Sequence, residues 1–212
     1  MKIKTLIPPI LIIITFLIGI YFYPSLPQTM ASHWGIDNQV NGYSSKNFAV
    51  FFLPILMISL YFLFRFLPSV DPYKKNFKEF QSHYENFIIL IFTFFLYLYV
   101  LTISWNLGYH FIIIQLMSPG LAALFYYAGV LTQNARQNWF VGIRTPWTMS
   151  HPVVWQKTHQ LGGKLFKLTG LVTLLSFPFP NLAIMFLLIP ILTTTVTVFV
   201  YSYLEYQKIV KL

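Results

Sequence analysis

Two stretches of this chain hold most of the side chains that could do chemistry. Residues 26–46 contain His33 and Asp37, and residues 138–163 contain two histidines. Histidine and carboxylate side chains bind metals and transfer protons. Metal-assisted hydrolysis and acid–base catalysis are therefore the two kinds of chemistry to consider first.

Neither stretch has the composition of an active site. From Gln133 to Gly163 there is no Asp or Glu, and the whole chain has no cysteine, so a nucleophile, a base and a metal shell are all incomplete. His151 and His159 are eight residues apart, too far to bind one metal from adjacent helical turns. We predict that the protein is not an enzyme and has no catalytic residue, metal or cofactor.

The stretch 26–46 offers one possible metal site. His33 and Asp37 lie four residues apart, and His110 lies on another polar loop. These three side chains could share a metal if the two loops meet. A single histidine beside a tryptophan is more often a hydrogen-bonding group at a membrane interface, and we expect that role for His33.

The elements that must position these stretches are membrane helices. Of the 212 residues, 57% are hydrophobic and 9% are charged, and the mean hydropathy is +0.65. A soluble domain carries about 25% charged residues, and a bilayer core takes about 20 apolar residues per helix. We predict an all-α integral membrane protein with six transmembrane helices, at residues 5–23, 48–64, 87–105, 111–132, 165–177 and 182–204. Because the fifth run is short, we expect its helix to begin near residue 161.

The basic residues predict the orientation of these helices. If the N-terminus is inside, only Lys46 of the 14 Lys and Arg residues falls on the outer side. Cytoplasmic loops carry the excess of Lys and Arg, so both termini are predicted to be cytoplasmic. The net charge of +9 is divided among separate loops, and we interpret it as attraction to membrane lipids rather than to nucleic acid.

The polar stretch after the second run is predicted to form a separate helix on the inner membrane surface. Asp71 is the expected N-cap and Pro72 the expected first helical residue. Aromatic side chains recur at helical spacing on one face, which suits burial among lipid headgroups; they are Tyr73, Phe77, Phe80 and Tyr84. A docking face for a cytoplasmic partner is the alternative.

Three of the predicted spans contain a proline: Pro54, Pro119 and Pro190. Each proline removes a backbone donor and bends the helix unless a neighbour or a hydroxyl satisfies the freed carbonyl. The kinks could shape a cavity, although proline is also common in membrane helices for packing reasons alone.

The stretch 138–163 is predicted to form a rigid corner followed by a helix. Pro146 forces Thr145 toward an extended conformation, which places Arg144 and Trp147 on either side of the corner. Arg144 is surrounded by apolar residues and proline, and we expect its guanidinium to hold the corner with hydrogen bonds. The alternatives are that Arg144 pairs with a lipid phosphate or a helix C-terminus and that the tryptophans are interfacial anchors.

Ser150 is predicted to cap the helix that follows the corner. Beyond it, Trp155, His159, Gly162 and Phe166 fall on one helical face. That face could continue into the fifth span.

This pattern resembles a known family. The run closely resembles the signature of the SdpI family, immunity proteins against a secreted sporulation-delaying toxin. The residues that carry the resemblance are Asn138, Gly142, Ile143, Arg144, Thr145, Pro146, Trp147, Thr148, Val154, Trp155, Thr158, His159 and Gly162. The resemblance covers roughly residues 120–204.

The stretch 26–46 resembles a domain of unknown function that accompanies many SdpI-like chains. It keeps the residues Pro27, His33, Trp34, Tyr43 and Lys46. It departs from that pattern with Ala31 and Ser32, where a proline often precedes the histidine, and with Asn38, where a glycine is usual.

The resemblance implies a membrane protein of the bacterial cell membrane that gives resistance to a secreted peptide toxin without catalysis. It also implies that toxin-bound protein holds a transcriptional repressor at the membrane. The alternative is a small-molecule or lipid transporter, but an ion-coupled transporter is expected to carry an ionisable residue within the hydrocarbon, and none of the six runs contains one.

We expect two regions: residues 1–86, with two spans, and residues 87–212, with four spans and the motif 138–163. As functional or structural determinants we predict the signature residues, together with His33, Trp34 and Lys46 of the outer stretch.

Overall fold

The computed structural model describes residues 3–210, which form a bundle of long helices with one short β-hairpin. The elements, in chain order, are α1 (Ile7–Phe22), β1 (Thr29–Trp34), β2 (Val40–Ser45), α2 (Lys46–Val70), α3 (Lys74–Asn106), α4 (Ile113–Asn134), α5 (Pro146–Ser150), α6 (Pro152–Thr173) and α7 (Ala183–Val210). Short 3-10 turns occupy Ile3–Thr5, Tyr23–Ser25, Leu174–Ser176 and Pro180–Leu182.

The polar stretches gather at two opposite ends of the bundle. At one end the hairpin meets the α3–α4 turn, where the Asn38 side chain donates to the Phe111 carbonyl at 3.2 Å. At the other end the α4–α5 segment meets α3, where the Asn76 side chain donates to the Gln137 carbonyl at 2.6 Å. We call these the hairpin end (residues 23–46, 106–113 and 177–183) and the motif end (residues 64–82, 134–163 and 202–210).

The apolar helices confirm the prediction of an all-α integral membrane protein. Five helical stretches are long and apolar enough to cross a membrane: Ile7–Ser25, Lys46–Val70, Lys74–Asn106, Ile113–Asn134 and Pro180–Val210. The hairpin is the one departure from helical structure among the regular elements of residues 3–210.

Helix α6 is not among those five stretches. It nevertheless has a length similar to that of α4 and runs alongside it in the opposite direction. Near the motif end the Gln160 side chain lies 3.4 Å from the Gln133 carbonyl, and near the hairpin end the Gln115 side chain donates to the Phe177 carbonyl at 2.8 Å. The helix begins at Pro152. The predicted start near residue 161 is therefore wrong, because the motif residues themselves form the first turns of this helix.

The count of six crossings and the cytoplasmic placement of both termini stay predictions. Lys2 and Lys211, two of the basic residues in the orientation argument, lie outside the described residues. The division into regions 1–86 and 87–212 likewise stays a prediction.

The surface helix predicted after the second span does not form. Instead α3 is one continuous helix of 33 residues. Phe77, Phe80 and Tyr84 on its first turns are buried, in a core cluster that also contains Met57 and Trp155. The predicted burial of these rings among headgroups is wrong, because other helices cover the aromatic face.

Asp71 also has a different role from the predicted N-cap of a helix starting at Pro72. Its carboxylate accepts from the Tyr73 N–H at 2.6 Å, and its carbonyl accepts from the Lys74 N–H at 3.0 Å. Asp71 thus closes the tight turn between α2 and α3, and α3 begins at Lys74.

Hydroxyl groups satisfy the carbonyls that helix-interior prolines leave without a donor. Four prolines lie inside helices, Pro54 and Pro68 in α2, Pro119 in α4 and Pro190 in α7. A proline frees the carbonyl four residues earlier. The four freed carbonyls accept as follows: Val50 from Tyr99 at 3.0 Å, Phe64 from Tyr84 at 2.9 Å, Gln115 from Ser118 at 2.8 Å and Phe186 from Thr173 at 3.4 Å.

Three of those four donors come from a neighbouring helix. Tyr99 and Tyr84 of α3 reach α2, and Thr173 of α6 reaches α7. Membrane helices tolerate proline where a neighbour supplies the lost hydrogen bond. The condition under which a proline need not bend its helix is therefore met at these carbonyls, and the hydrogen bonds tie helix pairs together.

The β-hairpin is an element that was not predicted from the sequence. β1 and β2 pair antiparallel with Thr29 opposite Ser45, and the pairing is irregular between Ala31 and Trp34. The Asn106 side chain accepts from the Ala31 N–H at 2.7 Å and donates to the Ala31 carbonyl at 3.0 Å. The C-terminal end of α3 thus satisfies backbone groups of β1.

Glycines allow α4 and α6 to touch backbone to backbone. A Cβ atom at Gly163 would lie 2.6 Å from the Gly129 carbonyl oxygen, and one at Gly170 would lie 2.6 Å from the Ala122 carbonyl oxygen. Small residues commonly let membrane helices approach in this way. This contact holds the motif-bearing helix against α4.

Candidate functional site

Asn138 organises the loop that opens the motif. Its side chain is fully buried. The amide nitrogen donates to the carbonyls of Arg136 (2.7 Å) and Val141 (2.9 Å), and the amide oxygen accepts from the N–H groups of Phe140 (2.9 Å) and Val141 (2.7 Å). These four bonds use both donors and both lone pairs of the amide. The side chain therefore fixes the loop 136–141.

Gly142 and His159 fit one another. Gly142 has φ +113°, and a Cβ atom there would lie 2.3 Å from His159 Nε2. The Ile143 N–H donates to Nε2 at 3.0 Å, and Nδ1 lies 2.7 Å from the Trp155 carbonyl oxygen. Since Nε2 accepts, the proton is on Nδ1 and the imidazole is neutral.

The environment of His159 favours that neutral form. The side chain is 2% exposed. The residue lies at the motif end, before residues 165–177, which are predicted to cross the membrane. Burial lowers the pKa of His159 to about 4, against a smaller opposing effect of the hydrogen bond to the Trp155 carbonyl. A neutral, doubly hydrogen-bonded imidazole holds the backbone rather than binding a metal.

Trp155 is a core residue. It is 4% exposed, its indole N–H donates to the Ala135 carbonyl at 2.9 Å, and its ring stacks on His159 with centroids 3.8 Å apart. The helical face predicted for Trp155, His159 and Gly162 is buried in the protein. The alternative of Trp155 as an interfacial anchor is therefore wrong.

The predicted corner at Thr145 is present. Thr145 is extended (φ −93°, ψ 161°), and Pro146 begins α5. The Thr145 hydroxyl accepts from the Thr148 N–H at 3.2 Å, while the Thr148 hydroxyl accepts from the Thr145 N–H at 2.9 Å and donates to the Ile143 carbonyl at 2.7 Å. The Thr145 hydroxyl also donates to the Ser202 hydroxyl at 3.0 Å, which joins the corner to α7.

Trp147 adds a second contact with α7. Its ring packs against Phe199 and Tyr203, with centroids 5.2 Å and 5.1 Å apart. The corner therefore places an aromatic side chain on the last helix.

The predicted cap at Ser150 is wrong. Ser150 is the last residue of α5, and its hydroxyl donates to the Trp147 carbonyl at 3.2 Å. His151 is the N-cap of α6, because its Nδ1 accepts from the Val153 N–H at 3.2 Å and Pro152 occupies the first helical position. A proline at that position was the signal in the sequence that identifies the preceding residue as the cap.

Arg144 and Trp139 are two exposed residues of the motif that contact each other. The Arg144 guanidinium donates to the Trp139 carbonyl, as expected of a residue that holds the corner, and both side chains lie at the surface. The Trp139 N–H donates to the Asp71 carboxylate at 2.8 Å. A buried carboxylate thus positions the backbone of this pair, while both side chains are accessible at the surface.

Sequence reasoning missed the polar residues that hold the motif from outside. Asp71 is 2% exposed, and its carboxylate bonds the Trp139 N–H. The Gln137 side chain donates to the carbonyls of Thr148 (3.1 Å) and Met149 (2.8 Å). The rarity of acids in this basic chain, five against 14 Lys and Arg, was the only signal that Asp71 has a specific partner.

Thr158 and Gly162 lie on the buried side of α6. A Cβ atom at Gly162 would lie 2.3 Å from Ile143 Cδ1, so the motif loop packs directly on this glycine. Thr158 is fully buried, and its hydroxyl has no hydrogen-bond partner among the described residues. Gly162 thus serves close packing, while nothing in the structure explains the unpaired hydroxyl of Thr158.

At the hairpin end the three predicted residues have separate contacts. His33 Nδ1 lies 2.5 Å from the Asn41 side-chain oxygen. Trp34 packs edge-on against Trp105 with centroids 5.5 Å apart. Lys46 is 7% exposed, and its ammonium lies 4.6 Å from the centroid of the Tyr23 ring, a cation–π distance.

The backbone conformation of Asn38 accounts for an asparagine at a position where the resembled pattern usually has glycine. It has φ +63°, a conformation that glycine or asparagine adopts most readily. Its side-chain oxygen accepts from the Ile113 N–H at 2.8 Å, so the asparagine also fastens the hairpin turn to α4. The two polar loops therefore meet, yet among residues 3–210 no group of three His, Asp or Glu side chains is placed to hold a metal.

A cavity of about 200 Å³ lies beside that turn. Its walls are mostly apolar and include Trp34, Ile36, Ile113, Met117, Ala183 and Ile184. Residues of the hairpin, α4 and α7 thus form one open pocket at this end of the bundle.

Two family models match the segments that contain these features. Residues 10–58 match a domain of unknown function, DUF1648, and residues 134–203 match the SdpI/YfhL protein family. The chain is 28% identical over 207 residues to the Immunity protein SdpI of Bacillus subtilis (strain 168), and the match covers 97% of each chain. No solved structure matches the chain. The resemblance to the SdpI family is thus confirmed, and the similarity to its member from Bacillus subtilis extends along nearly the whole chain. Together with the apolar helices, it identifies a multi-pass protein of a bacterial cell membrane.

Proposed function

We propose that this chain is a non-enzymatic immunity protein that protects the cell from a secreted antimicrobial peptide toxin. The observation that carries the proposal is the similarity to an immunity protein over 97% of both chains, which includes the hairpin and the motif. The geometry of the motif supports a role without catalysis, because its buried polar groups bond the backbone of the loop and the corner.

The pocket at the hairpin end is the proposed contact for the toxin. An apolar peptide gains most by placing side chains in an apolar cavity, and this one is open to the surface. Ile36 on the hairpin turn lines the pocket and is 83% exposed. A residue so exposed contributes little to folding, which makes it a suitable position for a functional test.

The test is a toxin challenge of sensitive cells that express the chain or an empty vector. We expect the chain to raise survival and Ile36→Ser to lower that protection at equal membrane abundance. Tyr109→Ser is the matched control, since Tyr109 is 71% exposed at the same end and does not line the pocket. Survival that does not change with the intact chain would refute the immunity function and favour the transport alternative.

The second part of the proposal concerns the motif end, where a cytoplasmic repressor would bind the exposed pair Trp139 and Arg144. The Arg144 guanidinium has hydrogen-bond donors beyond the one that bonds the Trp139 carbonyl. An exposed tryptophan beside an arginine is a composition typical of binding hot spots.

This part is tested by following a fluorescent repressor, taken from a gene beside the one for this chain, after toxin is added. Arg144→Ala should abolish its recruitment to the membrane while the protein remains in the membrane. Arg136→Ala is the matched control, because Arg136 lies at the same end and its side chain bonds the exposed Glu79 carboxylate at 2.8 Å. A specific role of Arg144 would be contradicted if both variants lost recruitment equally. It would also be contradicted if both variants kept it.

A further inference from the structure

A cleft at the motif end collects basic side chains from α2 and α3. It has a volume of about 320 Å³, and Arg65, Lys74 and Lys78 line it. Within residues 3–210 none of these three forms an ion pair with a carboxylate. Three cations therefore face one open cleft, and none of them is paired with a carboxylate in that range.

The positive charge continues into an adjoining small cleft lined by α1, α2 and α3. The two clefts share Phe64, Arg65, Glu85 and Ile88, and Lys4 lines the second. Glu85 is the only acidic residue in the lining of either cleft, and its carboxylate accepts from the Gln81 side chain at 2.7 Å. Four cations against one carboxylate leave this region strongly positive.

An apolar groove leads away from the charged cleft along the bundle. A cavity of about 290 Å³ shares Phe64, Tyr84 and Ile88 with the cleft and extends along α3 and α4 as far as Ile91 and Ala128. Residues 140–143 of the motif loop form another part of its wall. Since α3 runs from the motif end toward the hairpin end, the groove points into the membrane-spanning part of the bundle. Charge at the mouth and an apolar interior match an amphiphilic ligand.

We propose that this cleft binds one anionic glycerophospholipid, with its phosphate among Arg65, Lys74 and Lys78 and an acyl chain along the groove. Basic pockets between transmembrane helices on the cytoplasmic side bind anionic headgroups, and the motif end is the side predicted to be cytoplasmic. A phospholipid has an acyl chain that can fill the apolar groove, whereas a free anion has no apolar part. This site lies apart from the hairpin pocket and includes neither Trp139 nor Arg144, although residues 140–143 of the motif loop line its groove. Its test measures lipid binding rather than resistance, so its failure can be told apart from a failure of the immunity function.

The test is native mass spectrometry of the purified full chain from micelles that contain equal amounts of phosphatidylglycerol and phosphatidylcholine with identical acyl chains. We expect one phosphatidylglycerol to be retained in preference. The variant Arg65→Gln/Lys74→Gln/Lys78→Gln should bind it about a hundredfold more weakly. Each basic residue beside an anionic lipid surface raises the binding constant by a factor of about five, and three such residues are removed.

The matched control is Arg136→Gln/Lys75→Gln/Lys164→Gln, which removes one arginine and two lysines from exposed positions outside both clefts. It should retain phosphatidylglycerol like the parent protein. Equal loss in the control would show a diffuse effect of net charge and overturn the site. Equal retention of phosphatidylcholine would overturn it too. Displacement of the lipid by glycerol 3-phosphate at the same concentration would reduce the site to an anion site and refute the acyl groove.

Discussion

The hydroxyl of Tyr99 should stabilise the fold mainly because Pro54 is present. Tyr99 is 2% exposed, and its hydroxyl donates to the Val50 carbonyl, which Pro54 deprives of its helical donor. Tyr99→Phe would leave this buried acceptor without a partner. A buried polar group that loses its hydrogen bond costs about 1–3 kcal/mol, and that is the expected loss in the free energy of unfolding.

A double-mutant cycle isolates this cause. Pro54→Ala returns an N–H group that can bond the Val50 carbonyl, so in that background the tyrosine hydroxyl is no longer the sole donor. Tyr99→Phe should then cost at least about 1 kcal/mol less than in the parent protein. The coupling arises because both changes act on one carbonyl oxygen.

The assay is reversible unfolding of the purified variants in mild detergent with increasing SDS, followed by circular dichroism. Tyr127→Phe is the control, since Tyr127 is half-buried and its hydroxyl has no hydrogen-bond partner among residues 3–210. An equal cost of Tyr99→Phe in both backgrounds would refute the reasoning. So would a Tyr127→Phe variant that loses as much stability.

Three further predictions concern the motif. Gly142→Ala should lower the free energy of unfolding by about 1–3 kcal/mol and lower the melting temperature, because φ is +113° and a Cβ atom would lie against His159. Asn138→Ala should destabilise by a similar amount, while Asn134→Ala, at an exposed asparagine with one local hydrogen bond, should have little effect on melting. Stability should also fall as the pH is lowered from 6.5 toward 4, since a folded-state pKa of about 4 for His159 means that the unfolded chain binds the proton more tightly. The expected loss between pH 6.5 and 5 is about 1.6 kcal/mol, and His159→Gln should remove this part of the pH dependence in melting curves.

The sequence predicted those features that depend on local pattern. The charge-free runs identified the membrane helices, Pro146 predicted the extended Thr145, and helical spacing placed Trp155 and His159 on one face. Each of these inferences needs only the few residues around it, because chain geometry alone determines the outcome.

What the sequence did not predict depends on distant partners. Asp71 was expected to cap a helix, yet its second carboxylate oxygen bonds the Trp139 N–H, 68 residues away. The hairpin escaped prediction because its strands are short and polar, and the side chain of Asn106 supplies part of its hydrogen bonding. The aromatic face of α3 was assigned to lipid because spacing cannot tell whether lipid or another helix covers it.

The motif contains both buried residues and exposed residues, and this difference decides which variants inform on function. Trp155, His159 and Asn138 bond the backbone inside the protein, so their loss would lower the proposed resistance through misfolding, whatever the ligand. Arg144 and Trp139 lie at the surface. A loss of resistance or recruitment in an Arg144 variant that melts like the parent protein would therefore identify a contact, whereas the same loss in a Trp155 variant would identify only a fold.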